Sequence, residues 1–234
     1  DVELPLEHLS QFESVRLFTD RATAARPGFA VTAQNVARTA EICRRLDGLP
    51  LAIELAAACV RSMSVEQIAL HLSDRFKLLA GGDRSALPRQ QTLRALIDWS
   101  YDLLDERERA LLRRLAVFAG GFSADAAEAT STDGGVSEHE VLDLLTGLVE
   151  KSLVVLDADG ERYRLLETIR EYALQRLEAA GETAAARTRH RDHFLAYVER
   201  AFAQPFGEQR ATWIGRLDRE LDNVLAAHAC CAKE

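Results

Sequence analysis

Apolar residues recur at helical spacing along most of the chain. Phe12, Val15, Leu17, Phe18 and Ala22 predict a helix over residues 10–25, stopped by Arg26-Pro27-Gly28. A second helix is expected over residues 32–46, with Thr32 as its N-cap. Gly48-Leu49-Pro50 then punctuates the chain, with Gly beyond one helix end and Pro in the first turn of the next. The helix over residues 51–61 is apolar nearly all round apart from Glu54, which puts it at the centre of a helical domain. Ser64 followed by Gln67 reads as a capping box for a fourth helix, ending near residue 76. These four helices make a unit over residues 10–80, and the Gly- and Ser-containing stretch before Pro88 is the domain boundary.

Helices are expected next over residues 91–104, 105–118 and, past Gly120-Gly121, 124–129. Another over residues 137–151 carries Val141, Leu144, Leu145, Leu148 and Val149 on one face. The period then changes. Leu153-Val154-Val155-Leu156 and Arg162-Tyr163-Arg164-Leu165 flank Asp157-Ala158-Asp159-Gly160, a β-hairpin pattern. Helices closed by one hairpin predict a winged helix-turn-helix over residues 88–166, the hairpin being its wing. Residues 167–234 return to helical periods over 167–180, 183–202 and 208 to the end, separated by Gly181 and by Pro205 with Gly207. The expected fold is mainly α: a helical bundle, a winged helix-turn-helix with one β-hairpin, and an α-helical, repeat-like extension.

Composition narrows the function classes. The chain has 234 residues, 47% hydrophobic and only 6% aromatic, an ordinary globular composition rich in good helix formers. Its formal net charge of -8 argues against a protein built mainly to grip phosphate backbones. Cys43, Cys59, Cys230 and Cys231 form no Cys-x-x-Cys pair and read as reduced thiols of a cytoplasmic protein. The longest apolar stretch, residues 51–60, contains Glu54 and is about half of a membrane span, so no membrane partner is expected. Both ends look like cuts in a longer protein.

Several motifs, in order, resemble one family. Gly48-Leu49-Pro50-Leu51-Ala52-Ile53-Glu54-Leu55-Ala56 is similar to the Gly-x-Pro segment of STAND-class ATPases of the NB-ARC, or AP-ATPase-like, type. Pro88-Arg89-Gln90-Gln91-Thr92-Leu93, Trp99-Ser100-Tyr101, Phe118-Ala119-Gly120-Gly121-Phe122 and residues 163–170 resemble the bacterial transcriptional-regulator branch. The resemblance implies a segment C-terminal to a P-loop domain: residues 1–9 as the tail of that domain, 10–80 as the ARC-type helical domain, 88–166 as the winged helix and 167–234 as the start of a TPR-like array. It further implies that Pro50 packs against the adenine of ATP or ADP, with Gly48, Leu49 and Glu54 beside it and Mg²⁺ supplied by the other domain. The plainer reading is a tight helix joint in which Pro50 sets geometry and Glu54 pairs with a neighbouring cation. The family's Met-His-Asp positions fall on Leu165, Leu166 and Glu167; Leu166 can neither donate a hydrogen bond nor carry charge.

No Gly-x-x-x-x-Gly-Lys-Ser/Thr occurs anywhere: Gly81-Gly82 precedes Asp83, and Gly120-Gly121 precedes Phe122. No strand with paired acids for Mg²⁺ and no Gly-x-Ser-x-Gly elbow is present, so no catalytic residue and no enzyme activity are expected of the segment itself. On the candidate recognition helix, Glu138, His139, Glu140, Asp143, Thr146, Gly147 and Glu150 are expected to face solvent. Four acids there predict repulsion from phosphates, Arg162 and Arg164 on the wing are offset by Asp157, Asp159 and Glu161, and no direct nucleic-acid contact is expected. His190 and His193, with Asp192, share a helix face, but no further ligand is near in sequence, and a solvated face is preferred to a metal site. Trp213, Leu217, Leu221 and Leu225 form a stripe that reads as core or as a protein interface.

The function expected on these grounds is that of a switch segment coupling ATP or ADP state to docking within a transcriptional regulator. Its partners are the P-loop and effector domains of the same chain, with further protein contacts through the C-terminal helices. The alternatives are a winged-helix DNA-binding module and a regulatory segment of a fused nucleotide cyclase.

Overall fold

The computed structural model describes residues 12–79, 88–132, 138–203 and 208–231. The expectations placed on residues 1–9, on the loop before Pro88 and on the joint at Pro205 and Gly207 lie outside the described residues. The fold is mainly α, as expected, and divides into two compact units. The first runs to Leu103 and includes Glu150–Ser152; the second comprises Leu104–Val149 and Leu153–Glu234.

The first unit comprises α1 (Glu13–Ala25), α2 (Val36–Arg45), α3 (Pro50–Ala58), α4 (Val65–Leu79) and α5 (Pro88–Asp102); α3 packs against α1 and α5, and α2 packs against α1 and α4. Ala52, Ile53, Leu55, Ala56 and Ala57 of α3 are all buried. Small Ala side chains let neighbouring helices approach closely, while Ile53 and Leu55 fill the core. Val15, Phe18 and Ala22 of α1 meet it, and Phe18 sits edge-on to Phe29 with ring centroids 6.3 Å apart. The Ser64–Gln67 capping box forms as expected: the Gln67 amide donates to Ser64 Oγ at 3.2 Å and the Ser64 amide to Gln67 Oε1 at 2.9 Å. Thr32 is not the cap of α2. The helix starts at Val36 after a turn in which the Thr32 amide donates to Asn35 Oδ1. Burial pushes the thiols of Cys43 and Cys59 up to about 11 and about 12, so both stay protonated and act as packing.

The second unit begins with α6 (Glu106–Leu115), β1 (Gly121–Phe122), α7 (Ala124–Ser131), α8 (Glu138–Glu150), β2 (Val155–Leu156) and β3 (Tyr163–Arg164). Asp105 and Glu108 cap α6 reciprocally. The hairpin is joined by a third strand: β1 pairs antiparallel with β3, setting Phe122 opposite Tyr163, and β3 pairs with β2. Then come α9 (Glu167–Ala179), α10 (Thr183–Phe202), α11 (Glu208–Arg219) and α12 (Leu221–Cys231). The last helix is interrupted at Glu220, and the interruption turns the expected stripe outward. Leu221 and Leu225 are 49% and 57% exposed, whereas Glu220, Asn223 and Ala227 face inward.

Two buried guanidiniums tie this unit together. Glu182 accepts from Arg113 at 2.9 Å and from Arg114 at 3.0 Å, and Arg114 also donates to the Ser131 carbonyl at 2.7 Å. Buried charges of this kind are tolerated only when answered by carboxylates and carbonyls. No helix among the described residues is long and apolar enough to cross a membrane.

His190 is the other buried ionisable group. It is 3% exposed, with its ring against Phe118 and Phe194. Burial is the main cause of a pKa lowered from 6.5 to about 4; the Asn223 side chain and Glu220 oppose the shift, and His193 adds to it. The unfolded chain therefore takes up a proton near pH 6.5, which the folded chain refuses until about pH 4. The stabilisation is complete above pH 6.5 and is lost as pH falls toward 4, a loss of about 3 kcal/mol. Denaturation measured across that range is expected to show this decline, and His190→Phe is expected to flatten it. An unchanged pH slope in the variant would remove His190 as the cause.

Candidate nucleic-acid interface

The winged helix-turn-helix is assembled from α6, α7 and α8 with the three short strands. Val141, Leu145 and Leu148 of α8 are fully buried, as are Leu111, Leu112, Leu115 and Phe118. Phe118 stacks on Phe122 at 4.6 Å, and Phe122 on Tyr163 at 6.1 Å, so one aromatic column runs from the helices into the sheet. On the outward side of α8, His139, Leu142, Asp143 and Thr146 are exposed. Two details differ from the helical-wheel expectation. Leu142 is exposed, and Gly147 faces α6 closely enough that a Cβ there would lie 3.1 Å from Glu108 Oε1. Glu140 pairs with Arg107, which moderates the acidity of that face. The side chain of Glu138 lies outside the described residues.

The two wing arginines have separate roles. Arg164 is 48% exposed and lies 3.4 Å from Asp157 across the hairpin. Arg162 turns inward, pairs with Glu220 and donates to the Gly121 carbonyl at 2.7 Å. Glu220 in turn accepts from Asn223 Nδ2 at 2.8 Å. Asn223, 1% exposed, also donates to the Gly121 carbonyl at 2.9 Å, and its Oδ1 accepts from the Ala119 amide at 2.9 Å. The hydrogen bond to Glu220 is the main cause of an Arg162 pKa raised above its ordinary value, so the guanidinium is charged throughout. This knot requires glycine at two positions. Gly120 has φ +117, and a Cβ on Gly121 would meet the Tyr163 carbonyl at 3.2 Å. Sequence reasoning missed Glu220 and Asn223, because they lie among helical residues with no local motif.

The remaining sequence-marked residues lie elsewhere. Asp47 and Gly48 both take positive φ, 52° and 66°, and the Gly48 amide donates to the Cys43 carbonyl, closing α2. Leu49 is half-buried at the N-cap of α3, Pro50 is exposed at its first turn, and Glu54 pairs with Arg21 at 3.2 Å. Leu166 caps α9 and is half-buried, and Glu167 is committed to Arg170 at 2.7 Å, which holds its carboxyl below the ordinary value. His190 and His193 do not share a solvated face, since His190 is core; Asp192 is exposed and pairs with Arg191. No cluster of three or more His, Cys, Asp or Glu suited to a metal occurs among the described residues.

Residues 104–178 match the family model described as a winged helix-turn-helix domain, a span that holds α6, α7, α8 and the three strands. The chain thus carries a winged helix-turn-helix domain. It is 52% identical over 219 residues, 93% of its length, to proteins of Mycobacterium bovis and Mycobacterium tuberculosis that are provisionally named HTH-type transcriptional regulators. It spans 25% of the length of those relatives. It is also 46% identical over 184 residues, 77% of this chain and 47% of the relative, to an uncharacterised protein of M. tuberculosis.

These matches correct the expectation of no direct nucleic-acid contact. A winged helix-turn-helix in a chain related to HTH-type regulators is an architecture that points to DNA. The expectation rested on the acidity of the α8 face and on the offset of Arg162 and Arg164 by Asp157, Asp159 and Glu161 on the wing. Apart from that face, the wing carries the exposed Arg164.

The polar knot is expected to fix the wing. Asn223→Ala leaves the Ala119 amide and part of the Gly121 carbonyl without their partner, at a cost of about 2 kcal/mol. Thermal melting should register the loss, and amide exchange at residues 119–122 should accelerate more than at α8. Uniform acceleration across the unit would deny the knot its local role.

Proposed function

We propose that this chain is the segment of a transcriptional regulator that contacts DNA through its winged helix, with the wing leading. The observation that carries the reading is Arg164, an exposed guanidinium on β3 of a winged helix-turn-helix. The exposed face of α8, with Asp143 and a Glu140 already engaged by Arg107, approaches phosphates poorly. Its Thr146 and His139 are suited to contacts at base edges once the wing has set the register. With a net charge of -8, binding by the chain alone should be weak and steeply weakened by salt.

Fluorescence anisotropy with duplex DNA at low salt tests this. Arg164→Gln should weaken binding by about tenfold and lower the slope of log K against log salt by about 1. Asp157→Asn, which removes the carboxylate facing Arg164, should strengthen binding. Equal affinities for all three proteins would defeat the wing-led reading.

A second reading is nucleotide-state switching, in which Gly48, Leu49, Pro50 and Glu54 form one wall of an ATP or ADP site completed by a P-loop domain. It is supported by the exposed position of Pro50 and the open space around Gly48, where an added Cβ would meet nothing within 4 Å. The relatives, about four times longer than the matched span, leave room for such a domain. In a longer protein carrying a phosphate loop, Pro50→Ala should lower ADP retention after purification while leaving the melting temperature nearly unchanged. Full ADP occupancy in that variant would refute the assignment.

A further inference from the structure

Within the second unit, a cleft of about 440 Å³ opens between α9, α10, α12 and the residues that link α6 to β1, within the range of small-molecule sites. It forms where short side chains meet. Five alanines line it, among them Ala184 of α10 and Ala226 and Ala229 of α12, together with Val117 and Leu174. An alanine side chain ends at Cβ, so where several meet the helices leave volume that no side chain fills. Among the described residues the lining holds no Phe, Tyr or Trp and no Asp or Glu. Its apolar surface is aliphatic.

The charges of the lining favour an anion. Two guanidiniums belong to it, Arg170 and Arg187. Arg170 is answered by Glu167 through two hydrogen bonds, at 2.9 Å and 2.7 Å. Arg187 is exposed, and among the described residues its side chain has no hydrogen-bond or ion-pair partner. His190, also in the lining, is kept neutral chiefly by burial and adds no charge. An aromatic ligand would find no ring to stack on. An uncharged hydrocarbon would leave Arg187 unanswered, and an inorganic anion would leave the aliphatic surface uncovered.

We propose that this cleft binds an aliphatic carboxylate of medium chain length, its hydrocarbon against Leu174, Val117 and the alanines and its carboxylate on Arg187. The guanidinium fork matches a carboxylate in geometry as well as in sign. Because Arg187 is exposed, the ion pair mainly orients the ligand, and the buried CH₂ groups supply most of the affinity. The proposal rests on neither the DNA-binding nor the nucleotide reading, since none of its groups belongs to the wing or to the Gly48-Leu49-Pro50 turn.

Isothermal titration of the chain with butanoate, hexanoate and octanoate tests the assignment, with octan-1-amine as the cationic counterpart. Octanoate is expected to bind with a dissociation constant below about 1 mM, and each two carbons removed should weaken binding by at least about threefold. The amine should bind at least about threefold more weakly than the acid of the same length. Nonspecific adsorption to a chain of net charge -8 predicts the opposite order. Arg187→Glu should abolish the preference for the acid. Ala229→Leu, which places a larger side chain in the cleft, should weaken octanoate by about fivefold. Both positions are exposed, so circular dichroism of each variant should match the parent. Absence of heat at millimolar octanoate, an amine bound as tightly as the acid, or unchanged affinities in either variant would each overturn the site.

Discussion

The wing is held by a buried polar knot, and its position in the second unit rests on that knot. The Gly121 carbonyl accepts from both Arg162 and Asn223, Asn223 accepts from the Ala119 amide, and Glu220 closes the circuit. Strands of two residues each provide few ladder bonds of their own, and an isolated hairpin is marginal in water. Here a charge-assisted network, desolvated and answered at nearly every atom, supplies the missing definition. The aromatic column of Phe118, Phe122 and Tyr163 supplies the apolar half of the same joint.

That constraint divides the wing's basic residues. Arg162 is spent on internal structure, while Arg164, two residues on, points to solvent with Asp157 as its neighbour. The division shows that the net charge of the whole chain does not fix the charge at each position of the wing. The local field on the wing is set by the exposed Arg164 together with Asp157, Asp159 and Glu161, the last of these paired with Arg219. The division also explains the weight placed on α12, since Glu220 and Asn223 bring the C-terminal helices into the definition of the wing.

Much of the fold was legible in the residues. The Ser64–Gln67 capping box, the Pro50 start of α3 and the hairpin around residues 157–160 are local devices, and local devices survive from sequence to structure. The failures were equally local in cause. Thr32 has the chemistry of an N-cap, but Asn35 builds a turn first and delays the helix to Val36. The break at Glu220 left no mark, because neither Gly nor Pro occurs there and the helical pattern continues on both sides. Once the helix is broken, the phase shifts, so Leu221 and Leu225 are exposed and the core alternative for that stripe does not hold for them. Strand β1 has only two residues and no period of its own, so along the chain it shows only a Gly-Gly interruption.

Taken alone, the order of the residues determined the helical content, the place of the hairpin, the absence of a phosphate loop and the shape of the Gly48-Leu49-Pro50 turn, because each of these is decided within a few neighbouring residues. Only the folded chain decided which arginine of the wing faces water, which histidine is core and where a cleft opens between apolar and basic side chains. Those outcomes depend on partners far away in sequence, such as Arg162 with Glu220 and His190 with Phe118. Burial and charge pairing at such distances are set by packing, and no local pattern of apolar and polar residues encodes them.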